Sequence, residues 1–159
     1  MGPMKVSLNI LVTEDNPDDL FLLQAAFERA GVSSRLEAVS DGVEALAYLK
    51  GDAPFEDRNA HPFPDVLLLD LNMPRRNGFE VLEWVRGDSQ CSRLMVHVLT
   101  ASPREADVER AYELGANSYV TKPSRLDELV AFVKALHQWH SFTILAQPQR
   151  ARGILTEAP

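Results

Sequence analysis

Short apolar runs and amphipathic stretches alternate along the chain, and each change of period marks a new element. Leu8 to Thr13 is a largely apolar run, the pattern of a strand buried on both faces. Glu14-Asp15 follows, and Asn16-Pro17-Asp18-Asp19 then reads as a helix start. Asn16 can cap, Pro17 suits the first helical position, and acids complement the helix dipole, so Asp18 and Asp19 read as solvated helix-start charges. Leu20, Leu23, Phe27 and Ala30 recur at helical spacing up to Gly31.

Arg35 to Val39 predicts a second strand. Ser40-Asp41-Gly42 opens a second helix to about Lys50, with Val43, Leu46, Ala47 and Leu49 turned inward. Gly51 to Pro64 carries three prolines and no periodicity, which predicts a surface loop. Asp65 to Asp70 is the clearest buried strand, and a loop holding Met73-Pro74 and Gly78 leads to a helix with Phe79, Leu82 and Val85 on one face. Leu94 to Leu99, ending at Thr100, is the fourth strand, and Pro103 to Leu114 the fourth helix, stopped by Gly115. Ser118 to Thr121 is a short fifth strand before Lys122-Pro123. Ser124 and Asp127 form a capping box for a last helix carrying Leu126, Leu129, Val133 and Leu136.

Strict alternation of five strands and five helices implies a doubly wound α/β domain, a five-stranded parallel sheet covered on both faces. The pattern spans residues 8–140 as one domain. Residues 1–7 form an N-terminal segment, with 1–3 resembling a cloning remnant. The pattern stops after Trp139, and residues 141–159 read as a packed extension and loose tail with no output domain.

Composition narrows the classes. A chain of 159 residues with 45% hydrophobic and 25% charged positions suits one soluble domain that needs no disulfide or structural metal. The single cysteine, Cys91, excludes an internal disulfide and suits a reducing cytoplasm. No apolar stretch approaches the ~20 residues of a membrane span. A net charge of −7 argues against non-specific binding to nucleic acid or anionic lipid.

The acids matter more by position than by number. Ligands of an open α/β sheet sit beyond the carboxyl ends of its strands, where this topology gathers Glu14, Asp15, Asp70, Thr100 and Lys122. Clustered carboxylates repel one another unless a cation neutralises them, and an oxygen donor set of this kind suits Mg²⁺. Asp70 could then stay ionised and act as an oxygen nucleophile toward a phosphoryl group. Lys122 would share the charge of the transferred oxygens, and the Thr100 hydroxyl could donate to one of them. Ala101 leaves the approach open.

These residues carry a family resemblance. Ile10-Leu11-Val12-Thr13-Glu14-Asp15-Asn16, Leu67-Leu68-Leu69-Asp70-Leu71-Asn72-Met73-Pro74 with Gly78, Val98-Leu99-Thr100-Ala101 and Tyr119-Val120-Thr121-Lys122-Pro123 resemble bacterial two-component response-regulator receiver domains. The ordered set covers roughly Leu8 to Gln138. The resemblance implies the flavodoxin-like strand order 2-1-3-4-5 and a phosphorelay function, with Asp70 as acceptor from a sensor histidine kinase. It implies that Asp15 ligates Mg²⁺ directly, Glu14 through a water, and Asn72 through its backbone carbonyl. It also implies that Thr100 and Lys122 contact the phosphoryl group and that Tyr119 is a switch aromatic coupled to Thr100. A narrower resemblance, in the loop Asp52 to Pro64 and the stretch Gln138 to Thr143, is to the small receivers that partner bacterial phytochromes. Homodimers are implied as well, with Trp139 and Phe142 as interface candidates unless they fold back on their own domain.

Other classes fit less well. An aspartyl phosphohydrolase would need a second acid two residues after its nucleophile, where Asn72 stands. A flavin or nucleotide binder needs a phosphate-cradling loop after the first strand, and Glu14-Asp15-Asn16-Pro17 would repel phosphate there without a metal. A degenerate receiver serving only as a binding module would not keep the acid pair, Asp70 and Lys122. His97 reads as a core or half-buried histidine, and His61, His137 and His140 lack metal-ligand spacing.

Overall fold

Parallel pairing of five short strands sets the architecture. The computed structural model describes residues 7–146; the N-terminal segment before them and the tail after them lie outside the described residues. The elements are β1 (Leu8–Thr13), α1 (Pro17–Ala30), β2 (Ser34–Val39), α2 (Gly42–Lys50), β3 (Val66–Leu69), α3 (Gly78–Gly87), β4 (Met95–Thr100), α4 (Glu105–Glu113), β5 (Ser118–Thr121) and α5 (Leu126–Phe142). All strand pairs are parallel, in the order β2-β1-β3-β4-β5. This is the flavodoxin-like order, with a reversal between β1 and β3 where such sheets bind ligands.

Alternation within the buried strands splits the core into two layers. Ile10, Val12, Val66, Leu68 and Leu99 face α1 and α5, meeting Leu23, Phe27, Leu129 and Val133. Leu11, Leu67, Leu69, Val96 and Val98 face the opposite layer of α2, α3 and α4. Full burial of such a side chain contributes about 1.5–3 kcal/mol, and Leu68→Ala would cost about 2–5 kcal/mol because a cavity would remain.

α1 begins as its sequence predicts. Asn16 accepts hydrogen bonds from the Asp18 and Asp19 backbone N–H groups at 2.9 and 3.2 Å, and Pro17 occupies the first helical position. Three other helices depart from the pattern. In α2 the inward face carries Ala45, Leu46, Tyr48 and Leu49, while Val43 is exposed and Ala47 only half-buried. Tyr48 reaches the core layer and donates its hydroxyl hydrogen to the Pro62 carbonyl at 2.9 Å, a partner that lies in the long loop and has no local sequence signal. α4 starts at Glu105, not Pro103, because Ser102, Arg104 and Asp107 bond one another ahead of it. α5 has no side-chain cap; Arg125, not Ser124, precedes its first turn, and the Arg125 side chain pairs with Asp127. α5 also continues through Trp139 to Phe142, so the boundary expected at residue 140 falls inside a helix.

The loop from Gly51 to Pro64 is tethered along its length. Arg58 donates to the Tyr48 and Leu49 carbonyls at 2.8 and 3.0 Å, satisfying the open C-terminus of α2. Phe55 and His61 pack on the Tyr48 ring, and Arg35 of β2 holds the Asn59 and Ala60 carbonyls. Among the described residues no helix is long and apolar enough to cross a membrane.

Candidate functional site

The carboxyl ends of β1, β3, β4 and β5 converge on Asp70. Asp70 follows β3 directly and is almost fully buried. Its backbone N–H donates to Thr13 Oγ1 at 3.1 Å, so the end of β1 fixes the end of β3. Thr13 is itself buried, and its hydroxyl reaches back to the Leu68 carbonyl at 3.4 Å.

Both carboxylate oxygens of Asp70 accept hydrogen bonds. Oδ1 accepts from Thr100 Oγ1 at 2.9 Å and from the Asn72 backbone N–H at 3.2 Å. Oδ2 accepts from Lys122 Nζ at 2.9 Å. Lys122 follows β5, and its backbone N–H donates to the Thr100 carbonyl at 2.7 Å, locking the two strand ends together. The ammonium also lies 2.5 Å from Glu14 Oε2 and 3.0 Å from Asp19 Oδ2. One cation thus serves three carboxylates.

Burial raises the Glu14 carboxyl above the ordinary carboxylate range, although hydrogen bonds from Lys122 and the Asn16 N–H oppose the shift. Burial works against the Lys122 ammonium too, but hydrogen bonds to Glu14 and Asp70 outweigh it and hold its pKa above the usual lysine value. These bonds favour the ammonium form of Lys122.

Ligand oxygens of Glu14, Asp15 and Asp70 all lie within 4.8 Å of one another. An all-carboxylate donor set with one exposed member fits a hard divalent cation that keeps part of its water shell. Asn72, exposed on the loop after β3, donates its backbone N–H to Asp70 Oδ1 at 3.2 Å, which holds the start of that loop against the acid.

The remaining expected residues lie further out. Tyr119 pairs with Val98 in the sheet, and its hydroxyl donates to the Ser102 carbonyl at 2.8 Å, tying β5 to the loop before α4. Burial raises its pKa. Trp139 is half-exposed and meets the His97 and His140 rings edge-on, at centroid distances of 6.1 and 4.8 Å. Phe142 is 83% exposed, so the two aromatics part ways: one folds partly back and the other does not. His97 is buried as expected, hydrogen-bonded to Ser118 Oγ at 2.6 Å and His140 Nε2 at 3.1 Å.

Two site residues escape the sequence pattern. Asp19 is not a solvated helix-start charge, because it holds Lys122. The available signal was its place one turn beyond Asp15, over the sheet edge. Thr13 reads as a strand residue and gives no sign that it anchors Asp70.

Residues 10–134 match the response regulator receiver domain family. The chain is 34% identical over 143 residues to response regulator Rcp1 of Synechocystis sp., covering 90% of this chain and 93% of that one. A crystal structure of the Mn²⁺-bound form of Rcp1 superposes with a TM-score of 0.77 over 87% of this chain and 99% of the other. The phosphorylated cyanobacterial phytochrome response regulator RcpA is 35% identical, with a TM-score of 0.80 over 89% of this chain and all of that one. Response regulator RPA3017 in red light signaling of R. palustris is 36% identical, with a TM-score of 0.83 over 88% and 99% of the two chains. With its ordered motifs, sheet order and clustered acids, the chain belongs to the response regulator receiver domain family of two-component signalling proteins.

Proposed function

We propose that Asp70 accepts a phosphoryl group from the phosphohistidine of a sensor histidine kinase. A carboxylate oxygen of Asp70 forms the new O–P bond as the N–P bond breaks, the imidazole leaves with the bonding pair, and water later hydrolyses the acyl phosphate. The observation that carries this reading is the pair of donors on Asp70. Thr100 Oγ1 holds one oxygen and Lys122 Nζ the other, and both are placed to follow charge onto the incoming oxygens.

Asp15, Asp70, the Asn72 carbonyl and, through a water, Glu14 are the groups that would hold Mg²⁺. When bound, the cation offsets the carboxylate charge and the charge of the transferred oxygens. The Mn²⁺-bound form of the similar Rcp1 supports a divalent site of this kind.

The protein is proposed as a signalling receiver of the cytoplasm, built on residues 8–140, which aids its own phosphorylation and dephosphorylation without turning over a small-molecule substrate. Similarity to the phytochrome response regulator RcpA supports a bacterial phytochrome as the kinase. Leu22 shares a shallow pocket with Asp19 and Lys122, and Phe21 beside it is 70% exposed, an apolar surface beside the site suited to a protein partner. Output would be a population shift linking Thr100 to Tyr119 and the β5 surface, read by a protein contact or a homodimer through Trp139 and Phe142, with no nucleic-acid contact.

Mixing the protein with an autophosphorylated bacterial phytochrome kinase tests the donor. Label should move to the wild type and not to Asp70→Asn; label retained on the kinase would refute that partnership.

A further inference from the structure

The loop that carries Asn72 is fastened from a distant part of the chain. Arg75 reaches across it to Asp41, thirty-four positions earlier, and donates from Nε and Nη2 to the same oxygen, Oδ2, at 2.9 and 2.6 Å. Asp41 is buried and uses its other oxygen to cap α2, accepting from the Glu44 N–H at 2.9 Å. The backbone segments also touch: a Cβ on Gly42 would lie 2.2 Å from the Arg76 carbonyl oxygen, so the turn before α2 sits directly on the loop after β3. At the loop's far end a Cβ on Gly78 would meet the Asp70 carbonyl oxygen at 2.3 Å. Between these anchors Met73 is buried in the core, and Arg75 holds a left-handed φ of 63°, unfavourable for a side-chain-bearing residue.

We infer that Asp41 and Arg75 are positioning residues for the divalent-metal site: their ion pair pins the loop that presents the Asn72 carbonyl. This rests on the metal site proposed above. Neither residue would touch the metal. Outer partners that orient ligands change metal affinity by about ten- to a hundredfold when removed, and a single backbone ligand held through a loop belongs at the low end.

Charge and geometry predict different outcomes, which makes the pair testable. Loss of the Arg75 cation alone would leave a bare acid near the site and strengthen cation binding if electrostatics ruled. If positioning rules, Arg75→Ala weakens Mg²⁺ binding, and so does Asp41→Asn, which keeps an oxygen for the α2 cap.

The experiment is calorimetric Mg²⁺ titration of the full chain and of Asp41→Asn, Arg75→Ala, Arg75→Lys and the Asp41→Asn/Arg75→Ala double variant, with a thermal melt of each. The expected result is about tenfold weaker binding in each loss variant. The double variant should be no weaker than either single one, Arg75→Lys should fall between, and the melts should show each variant still folded, with Arg75→Ala lowered by the unpaired Asp41. Unchanged or tighter binding in Arg75→Ala, with wild type binding normally, overturns this inference alone. Wild type that does not bind Mg²⁺ overturns the metal site and this inference with it.

Discussion

Asp19 and Lys122 stand 103 positions apart, yet Lys122 Nζ donates to Asp19 Oδ2 at 3.0 Å. The same nitrogen serves Glu14 and Asp70, which are almost fully buried, whereas the Asp19 side chain is 40% exposed at the mouth of the site. Asp19 therefore shares Lys122 with the two buried acids and adds a negative charge at the mouth of the site; under the proposed function it would compete with an incoming phosphoryl group for that cation.

Asp19→Asn should speed phosphorylation by an anionic acyl phosphate, by roughly fivefold or less, since a partly exposed pair is worth about 1 kcal/mol or less. The rate of phosphoprotein formation under saturating Mg²⁺ checks it. A tenfold fall would show instead that Asp19 is needed to hold Lys122.

Lys122→Met should destabilise the protein by about 3 kcal/mol in metal-free buffer, because Glu14 and Asp70 would be left buried without their cation. Mg²⁺ should return much of that loss, since a ligand that binds only the folded form stabilises it. Urea unfolding with and without Mg²⁺ measures both quantities. A variant as stable as wild type without metal would contradict the reading of Lys122 as the resident counter-ion.

The buried pair His97 and His140 predicts a pH dependence that does not arise from the acid cluster. Burial lowers His97 from an ordinary 6.5 to about 4, with His140 adding to the effect, and burial lowers His140 as well against the pull of Asp65. Below 6.5 the unfolded chain takes up a proton that the folded chain refuses. The His97 contribution to stability is therefore fully present above 6.5 and is lost as pH falls toward about 4. At about 1.4 kcal/mol per unit the loss amounts to about 3 kcal/mol at most. His97→Leu should flatten the stability profile between pH 4 and 6.5; an unchanged slope would place the dependence elsewhere.

Phe142 is the large apolar residue most open to solvent on α5, one turn beyond Trp139. If it seats against a second copy, Phe142→Glu should shift the protein toward monomer in sedimentation velocity without lowering its melting temperature. Sedimentation identical to wild type would remove Phe142 from any dimer contact.

The legible parts of the molecule are those whose signal is local. β3 announces itself as an unbroken apolar run and β1 as a largely apolar one, and parallel topology alone brings Asp70, Thr100 and Lys122 to one edge. The hidden parts depend on partners distant in sequence. Tyr48 points inward because the Pro62 carbonyl accepts its hydroxyl hydrogen and the Arg58 guanidinium lies over its ring, and periodicity around Val43 cannot report that. Asp41 looks like a helix cap, which it is, but its pairing with Arg75 has no spacing rule behind it. α5 outruns its apolar pattern because His140, polar by type, is buried against His97 and ends the stripe in sequence but not in space.

Intact mass spectrometry after incubation with Mg²⁺ and a small acyl phosphate tests the acceptor role of Asp70 most directly. Wild type should gain one phosphoryl group, Asp70→Asn none, and chelation of the metal should abolish the gain. A phosphoryl group on Asp70→Asn, or none on wild type with either the acyl phosphate or a phosphorylated kinase, would contradict it.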